Sequence, residues 1–473
     1  MASGPGGGLP QQEPERLKKW EAADIYGQLR ADAKRRGAKP FMLHDGPPYA
    51  NGHIHIGTSM NKILKDLVVR TRQMTGFDAD YIPGWDCHGL PIEWKVEEAF
   101  RAEGKNKRDV PMAEFRKACR DYAQKWIDIQ RTEFKRLGGA GNWNDPYLTM
   151  AYSSEAATVK EFLKVAMSGQ LKRGAKPVMW SPVEQTALAE AEIEYADRQS
   201  QAIDVAFLCA EPDRLAAAFG LPEIGGEAFA VIWTTTAWTI PANQALNLNP
   251  TLDYALVETE RGLLLLAEAL VEKCLARFGL QGSVVATTKG EKLGGLNFHH
   301  PLAHVHPGYA RLSPVYLADY ATADDGTGLV HSSPAYGLDD FNSCVTHGMT
   351  YDDILNPVQG NGSYAADFPL FGGQNIWKAV PVIIDTLKSA GRLFATETIT
   401  HSYPHCWRHK SPVIYRAAAQ WFVRMDAGEG VFTKDKAPRT LRQLALDAID
   451  QTGFYPENGR ARLRDMIANR PDW

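Results

Sequence analysis

Residues able to grip phosphate cluster early in the chain. His44-Asp45-Gly46-Pro47-Pro48-Tyr49-Ala50-Asn51-Gly52 leads through His53 to His55, Ile56 and Gly57, where a helical pattern begins. Free backbone N–H groups and the positive end of a helix dipole attract an anion, glycine lets backbone approach it closely, and imidazoles donate to its oxygens. A glycine- and proline-rich loop whose histidines satisfy local carbonyls has the same composition, so the residues alone leave both readings open. Downstream, Gly84-Trp85-Asp86-Cys87-His88-Gly89-Leu90-Pro91-Ile92-Glu93 sets a carboxylate among apolar side chains. On its own this reads as a turn around Gly84 and Trp85.

Hydroxyls, an imidazole and a carboxylate gather again in mid-chain. Trp233-Thr234-Thr235-Thr236-Ala237-Trp238-Thr239-Ile240-Pro241-Ala242-Asn243 is rich in threonine, and the stretch from Asp324 to Asp340 brings His331 and Asp340 into one segment. A threonine run is also ordinary strand composition, and Asp beside Gly an ordinary turn. His401, His405, Cys406 and His409 could bring two or three metal ligands into a short loop, where a structural zinc takes four. His299, His300, His304 and His306 follow Gly294-Gly295 without thiol or carboxylate support and read as a solvated loop.

The first of these stretches, from His44 to Gly57, followed by Asn61-Lys62-Ile63-Leu64-Lys65-Asp66, closely resembles the first signature of class I aminoacyl-tRNA synthetases in their isoleucine-specific form. Gly84 to Glu93 is similar to a second block of the same enzymes rather than of their leucyl or valyl relatives. The resemblance implies activation of isoleucine by ATP, supplied with Mg, to an aminoacyl-adenylate, then transfer to the terminal ribose of tRNA(Ile). By it, His55, Gly57 and Thr58 hold catalytic positions; Pro48, Asn51, His55 and Gly57 face ATP; and Gly46, Pro47 and Asp86 bind isoleucine, Asp86 through its ammonium. Thr58 stands where the family usually has histidine, and its hydroxyl can still serve the helix start. The family's second signature, a Lys-Met-Ser-Lys-Ser loop that stabilises the transferring phosphates, occurs nowhere in the sequence. The chain is therefore expected to be an N-terminal portion.

An isoleucine pocket excludes valine weakly: one methylene is worth about 1–3 kcal/mol, a figure that comes from synthetases of this kind and not from this chain. A second, hydrolytic pocket that admits the valyl ester and excludes the larger isoleucine solves the problem. The two mid-chain segments resemble the editing domain that does so. That resemblance assigns Asp340 to the α-amino group, His331 to the wall that excludes isoleucine, and Thr234, Thr235, Thr236 and Asn243 to the terminal adenosine or the water. Some relatives carry cysteine pairs near residue 181 and at residues 406–409; this chain offers Ser181 and Glu184 upstream and retains Cys406 downstream, so the site reads as vestigial and no structural zinc is expected. Two other functions stay open at this point: an editing-only deacylase, and a non-catalytic module that binds tRNA or nucleotide.

These residues need elements to hold them. Phe41-Met42-Leu43 reads as a short buried strand before the loop. Ile56, Met60, Ile63, Leu64 and Leu67 then recur at helical spacing, with Lys62, Lys65 and Asp66 on the opposite face. Tyr81 to Gly84 reads as a second strand and turn, and Pro111 opens a long amphipathic helix through Phe115, Cys119, Tyr122, Trp126 and Ile129. Strand, helix, strand, helix begins a doubly wound α/β sheet. From 151 to 416 short β-like runs such as Val231-Ile232-Trp233 and Gly328-Leu329-Val330 dominate, and helical periodicity returns at Leu441 to Ile449. The expected organisation is a tail and helix at 1–39, the first half of a Rossmann-type catalytic domain at 40–150, an insertion at 151–416 with a β-rich editing core at about 183–392, and a return to the catalytic domain at 417–473.

Composition narrows the setting. With 473 residues, 44% hydrophobic and 23% charged, the chain can bury more than one core and is not dominated by disorder. Its formal charge of -4 argues against a basic coat. Arg16-Leu17-Lys18-Lys19, Lys34-Arg35-Arg36 and Lys105-Asn106-Lys107-Arg108 suit tRNA phosphates or plain solvated faces. Apolar runs such as Leu263 to Leu266 are too short to span a bilayer. The start, Met1-Ala-Ser-Gly-Pro-Gly-Gly-Gly, has no secretory pattern and reads as a disordered tail. The 6 cysteines are scattered without close pairs. A soluble, monomeric protein of the reducing cytoplasm is expected.

Overall fold

The computed structural model describes residues 8–427 and 439–469 and divides the chain into two compact units, one ending at Gln170 and the other beginning at Leu171. The tail before Gly8 and the final Arg470 to Trp473 lie outside the described residues.

In the first unit, α1 (Leu9–Ala22) and α2 (Ile25–Arg35) precede the signature loop and α3 (Ile56–Met74) follows it. The remaining helices are α4 (Leu90–Ala102), α5 (Met112–Arg136) and α6 (Tyr152–Met167). β1 (Gly84–Trp85) and β2 (Tyr147–Leu148) pair in parallel, as expected of a βα crossover. The expected strand at Phe41–Leu43 does not form. Only Pro40 bridges to Asp78, because a segment with a single ladder contact lacks the repeated pairing that defines a strand; Phe41 and Leu43 nevertheless pack against Val69, Ala79 and Tyr81. Pro111 caps α5 as anticipated, and Ala123, Ile127 and Phe134 of that helix meet Trp85, Cys87 and Ile92 in a small core.

Helix α3 is where expected, but its faces are reversed. Ile56 is 86% exposed, and Met60, Ile63, Leu64 and Leu67 are exposed with it, while Lys62 is only 8% exposed. The reason is an anion beneath the helix. Lys62 Nζ donates to Asp45 and, at 2.7 Å, to Tyr81 Oη; Lys65 Nζ also donates to Asp45. Asp66 Oδ1 accepts from Ala140 N at 3.0 Å. A buried carboxylate without those cations would be costly, so the charged stripe turns inward.

The second unit contains β3 (Leu171–Ser181), β4 (Thr186–Ala187), β5 (Ile193–Cys209), α7 (Pro212–Phe219), β6 (Ala228–Thr234), β7 (Ala245–Leu248), β8 (Asp253–Thr259), β9 (Gly262–Ala267), α8 (Val271–Phe278) and β10 (Gly282–Lys289). It continues with β11 (Asn297–His299), β12 (Leu312–Leu317), β13 (Leu329–Ser332), α9 (Leu338–Thr346), α10 (Ile376–Ser389), β14 (Leu393–Cys406), β15 (Ile414–Val423), α11 (Leu441–Asp450) and α12 (Asn458–Asn469). A mixed sheet of 10 strands runs β10-β8-β9-β6-β5-β11-β12-β7-β13, with β14 paired to β5. Central β6 is buried from Ala228 to Ile232, the continuous apolar run of a strand covered on both faces. Each such large side chain contributes roughly 1.5–3 kcal/mol by leaving water.

A second sheet joins β15, β3 and β4. Leu171 pairs with Val423 and Trp180 with Ile414, so the strand that opens this unit lies beside one near its end. β15 runs through residue 416, and α6 falls in the first unit, so the unit division differs from 151 and 417. The expected helix near Leu441–Ile449 is α11.

Candidate functional site

In the first unit, backbone pairing brings the two signature blocks together. Asp86 N donates to Pro48 O at 2.8 Å, and Ala50 N donates to Asp86 O at 2.9 Å. Gly46, Pro47, Pro48 and Asp86 thus share one neighbourhood. Asp45 fixes its floor, accepting from Gly84 N at 3.0 Å and from Tyr81 Oη at 2.9 Å. Burial raises the Asp45 carboxyl, but hydrogen bonds from Lys62 and Lys65 outweigh it, and the net shift is downward. Gln130 of α5 holds the loop from behind, donating to Tyr49 O at 3.1 Å and Gly52 O at 2.7 Å while accepting from Trp85 Nε1 at 2.9 Å.

His55 and Thr58 form the start of α3. His55 Nδ1 accepts from Gly57 N at 3.1 Å, and Thr58 Oγ1 accepts from His55 N at 3.4 Å, a reciprocal cap. A Cβ on Gly57 would meet the His55 ring at 3.0 Å, so the small residue lets the imidazole lie over that amide. The first turn carries no acidic residue, which leaves the dipole free for an anion. Asn51 is engaged at both ends of its amide, donating to Pro91 O at 3.0 Å and accepting from Tyr122 Oη at 2.7 Å. His53 is turned to Glu133 on α5. Asp86 Oδ1 accepts from His88 N at 3.2 Å, so the turn reading and a partly exposed carboxylate coexist.

In the second unit, Thr236, Thr239, Asn243, His331 and Asp340 belong to one connected set of hydrogen bonds. Asn243 Nδ2 donates to Ala245 O at 2.9 Å and to His331 Nδ1 at 3.2 Å, while its Oδ1 accepts from Ser313 Oγ at 2.6 Å. Because Nδ1 accepts, the proton of the neutral imidazole is on Nε2, which donates to Thr239 Oγ1 at 2.8 Å; Thr239 in turn donates to Thr236 O at 2.8 Å. Burial holds His331 neutral, with its pKa lowered to about 4. Ser333 completes the link, its Oγ donating to Thr239 O at 2.8 Å and its N to Asp340 Oδ2 at 3.0 Å. Burial raises Asp340 to about 6 against the hydrogen bonds it accepts. Thr234 Oγ1 lies 3.1 Å from Thr236 Oγ1, and Thr235 is half-buried beside them.

Residues 15–473 match the family described as tRNA synthetases class I (I, L, M and V). The chain belongs to this family. Isoleucine--tRNA ligase 1 of Burkholderia mallei (strain ATCC 23344) is 56% identical over 99% of this chain and 48% of its own length. The enzyme of the same name from Burkholderia pseudomallei (strain K96243) is 55% identical over 99% and 48%. The chain spans about half the length of these curated relatives. Among solved structures, GlLeuRS-CP1 is 14% identical with a TM-score of 0.33, covering 41% of this chain and 99% of that one. A ternary complex of Agrobacterium radiobacter K84 agnB2 LeuRS with tRNA and LeuAMS is 17% identical with a TM-score of 0.32, covering 92% and 52%. No helix among the described residues is long and apolar enough to cross a membrane.

For a class I synthetase, the corner where β3 and β14 end is the other place of interest. Glu184, Cys406 and His409 bring ligand atoms within 4.8 Å of one another, and Ser181 Oγ lies 3.2 Å from His409 Nε2. The donor set fits zinc poorly. Ser181 offers a hydroxyl, and His409 Nδ1 accepts from Ser411 N at 3.1 Å, which puts the ring proton on the Nε2 that a metal would need. His401 turns to Ser200 and His405 to the Tyr403 carbonyl, so neither joins.

The solvated-loop reading of the later histidines needs correction at one residue. His299 and His304 are exposed, but His300 is buried, its Nε2 donating to Ile240 O at 2.9 Å and its ring stacked 4.9 Å from Tyr309. Apolar neighbours distant in sequence made that side chain structural. Thr239 and Ser333 flank residues already singled out, whereas Tyr320, Asn247 and Ser343, which surround Asp340 and Ser332, carried no signal of type or spacing.

Proposed function

We propose that the chain is the isoleucine-binding, ATP-binding and editing part of an isoleucine--tRNA ligase, a cytoplasmic monomer acting on tRNA(Ile), isoleucine and ATP with its Mg. The observation that carries the reading is the connected set Asn243, His331, Thr239, Ser333 and Asp340 in a β-rich unit of a chain 56% identical to an isoleucine--tRNA ligase. Asp340 accepts the α-amino group of a valyl ester. His331 is hydrogen-bonded at both ring nitrogens, so it has no lone pair free for a proton and acts as the wall that rejects isoleucine. Asn243, whose amide is occupied, holds that wall, and Thr234, Thr235 and Thr236 are left to meet the terminal adenosine and the attacking water. Water adds to the ester carbonyl and the ribose oxygen leaves with a proton, giving valine and free tRNA.

In the first unit, Gly46, Pro47 and Asp86 receive isoleucine, while Pro48, Gly57 and the His55–Thr58 cap face ATP, with Asn51 bracing the loop. An anion at the α3 start would take the Gly57 amide from the His55 ring, freeing the imidazole to donate to phosphate. No Lys-Met-Ser-Lys-Ser run occurs in the 473 residues, so the phosphate clamp for adenylate formation has no source in this chain. That favours deacylation without activation by the chain alone. Two assays test it: hydrolysis of valyl-tRNA(Ile), expected, and isoleucine-dependent ATP–pyrophosphate exchange, expected to be absent. A chain that leaves valyl-tRNA intact defeats the editing assignment.

A further inference from the structure

We propose that Tyr320 is the positioning residue for Asp340, holding one carboxylate oxygen in place so that the group presents a fixed face to the ammonium of an ester-linked amino acid. The inference rests on the editing reading for the identity of that ligand, but not for the positioning itself.

The geometry is a chain of donors that all point one way. Ser343 Oγ donates to Asn247 Oδ1 at 2.6 Å, and Asn247 Nδ2 donates to Ser332 Oγ. Tyr320 Oη lies 3.4 Å from Ser332 Oγ and donates to Asp340 Oδ1 at 3.3 Å. An ionised carboxylate only accepts, so the phenol hydrogen belongs to Asp340, which leaves the Ser332 hydrogen for the phenol oxygen or the carboxylate. Asn247 and Ser332 are fully buried, and such a chain polarises toward its anionic end. Tyr320 itself cannot drift: Asn249 Nδ2 donates to the carbonyls on either side of it, Asp319 O at 3.1 Å and Ala321 O at 3.0 Å.

What faces Asp340 explains why the hold is needed. Ser333 N takes the other oxygen, Asp339 precedes it and adds negative charge, and Cys344, one turn later on α9, is a neutral thiol that burial pushes up to about 12. Among the described residues, no cationic side chain is paired with it. A partly exposed carboxylate braced by neutral donors and lacking a cation is suited to one that arrives with the ligand. Burial alone would favour the protonated acid, and the Tyr320 hydroxyl opposes that.

The experiment uses the full chain. Tyr320→Phe keeps the ring and removes the donor, and Ser332→Ala, one step back, is the second variant should the first lose its near-ultraviolet signature of folding. Titration of the Asp340 carboxyl carbon by NMR is expected to move its midpoint upward by about one pH unit in Tyr320→Phe and by less in Ser332→Ala. Valyl-tRNA hydrolysis should fall about twofold through KM at pH 7 and approach a tenfold deficit at pH 5, recovering as pH rises past the new midpoint. An unchanged midpoint overturns the proposal, as does a loss of activity that is uniform across pH. Should the parent chain not hydrolyse valyl-tRNA, the editing reading fails, while the NMR midpoint still decides whether Tyr320 positions the carboxylate.

Discussion

Burial and hydrogen bonding pull Asp340 in opposite directions, and burial wins. With its folded-state pKa at about 6, above the ordinary carboxylate value, the group favours the fold fully below the unfolded pKa near 4 and loses that contribution as pH rises through 6. Asp340→Asn should therefore stabilise the protein at pH 7, by an amount on the order of 1–3 kcal/mol, with the gain shrinking towards pH 4. The same change should abolish valyl-tRNA hydrolysis. Urea unfolding at the two pH values checks the first part, and a variant weaker than its parent at both contradicts it. His331 has the reverse sign. Its folded pKa of about 4 lies below the ordinary imidazole value, so its contribution is complete above about 6.5 and is lost as pH falls through 4. His331→Gln should cost about 1–2 kcal/mol at neutral pH through its lost hydrogen bonds, and the gap to the parent should close on acidification. Thermal unfolding at pH 7 and pH 5 measures that gap; a constant gap rules out a buried neutral imidazole.

Elements were legible in the sequence where a local pattern decided them, and illegible where distant partners did. α5, β6, β13 and α11 follow their periodicity and caps. α3 follows its periodicity too, yet presents the opposite face, because Asp45 and Tyr81 recruit Lys62 from outside the helix. Thr234 to Asn243 and His331 stand out by composition and resemblance, whereas Tyr320 lies between two strands, carries no signal of its own and meets Asp340 only through the fold. The β3–β14 corner shows the same division. Its four side chains form two local pairs, Ser181 with Glu184 and Cys406 with His409, that are far apart in sequence and meet where β3 and β14 end. As it stands the corner is satisfied by its own hydrogen bonds, so purified chain should carry well under one zinc per molecule by elemental analysis. Ser181→Cys, Glu184→Cys and His409→Cys together should convert it to four thiolates and capture about one. A parent that holds stoichiometric zinc refutes the first half of this; an empty triple variant refutes the second.

At the scale of the whole molecule, the exposed face of α3 is the feature least like a finished surface. Ile56, Met60, Ile63, Leu64, Leu67 and Val68 are all exposed along one helix, and α6 buries no residue while exposing Val159, Phe162, Leu163 and Met167. Scattered exposed apolar side chains are ordinary, but a continuous helical stripe marks a surface that another group covers. The chain spans 48% of the length of its curated relatives, so they have ample sequence beyond the matched part to cover such a stripe. In isolation the stripe should bind a hydrophobic fluorescent dye. Leu64→Gln with Leu67→Gln should lower that signal severalfold without weakening the fold, since neither side chain is buried and the Lys62–Asp45 pairing on the other face is untouched. Dye binding unaffected by the double change would place the apolar surface elsewhere, and a fall in unfolding temperature would show that α3 packs on those leucines after all.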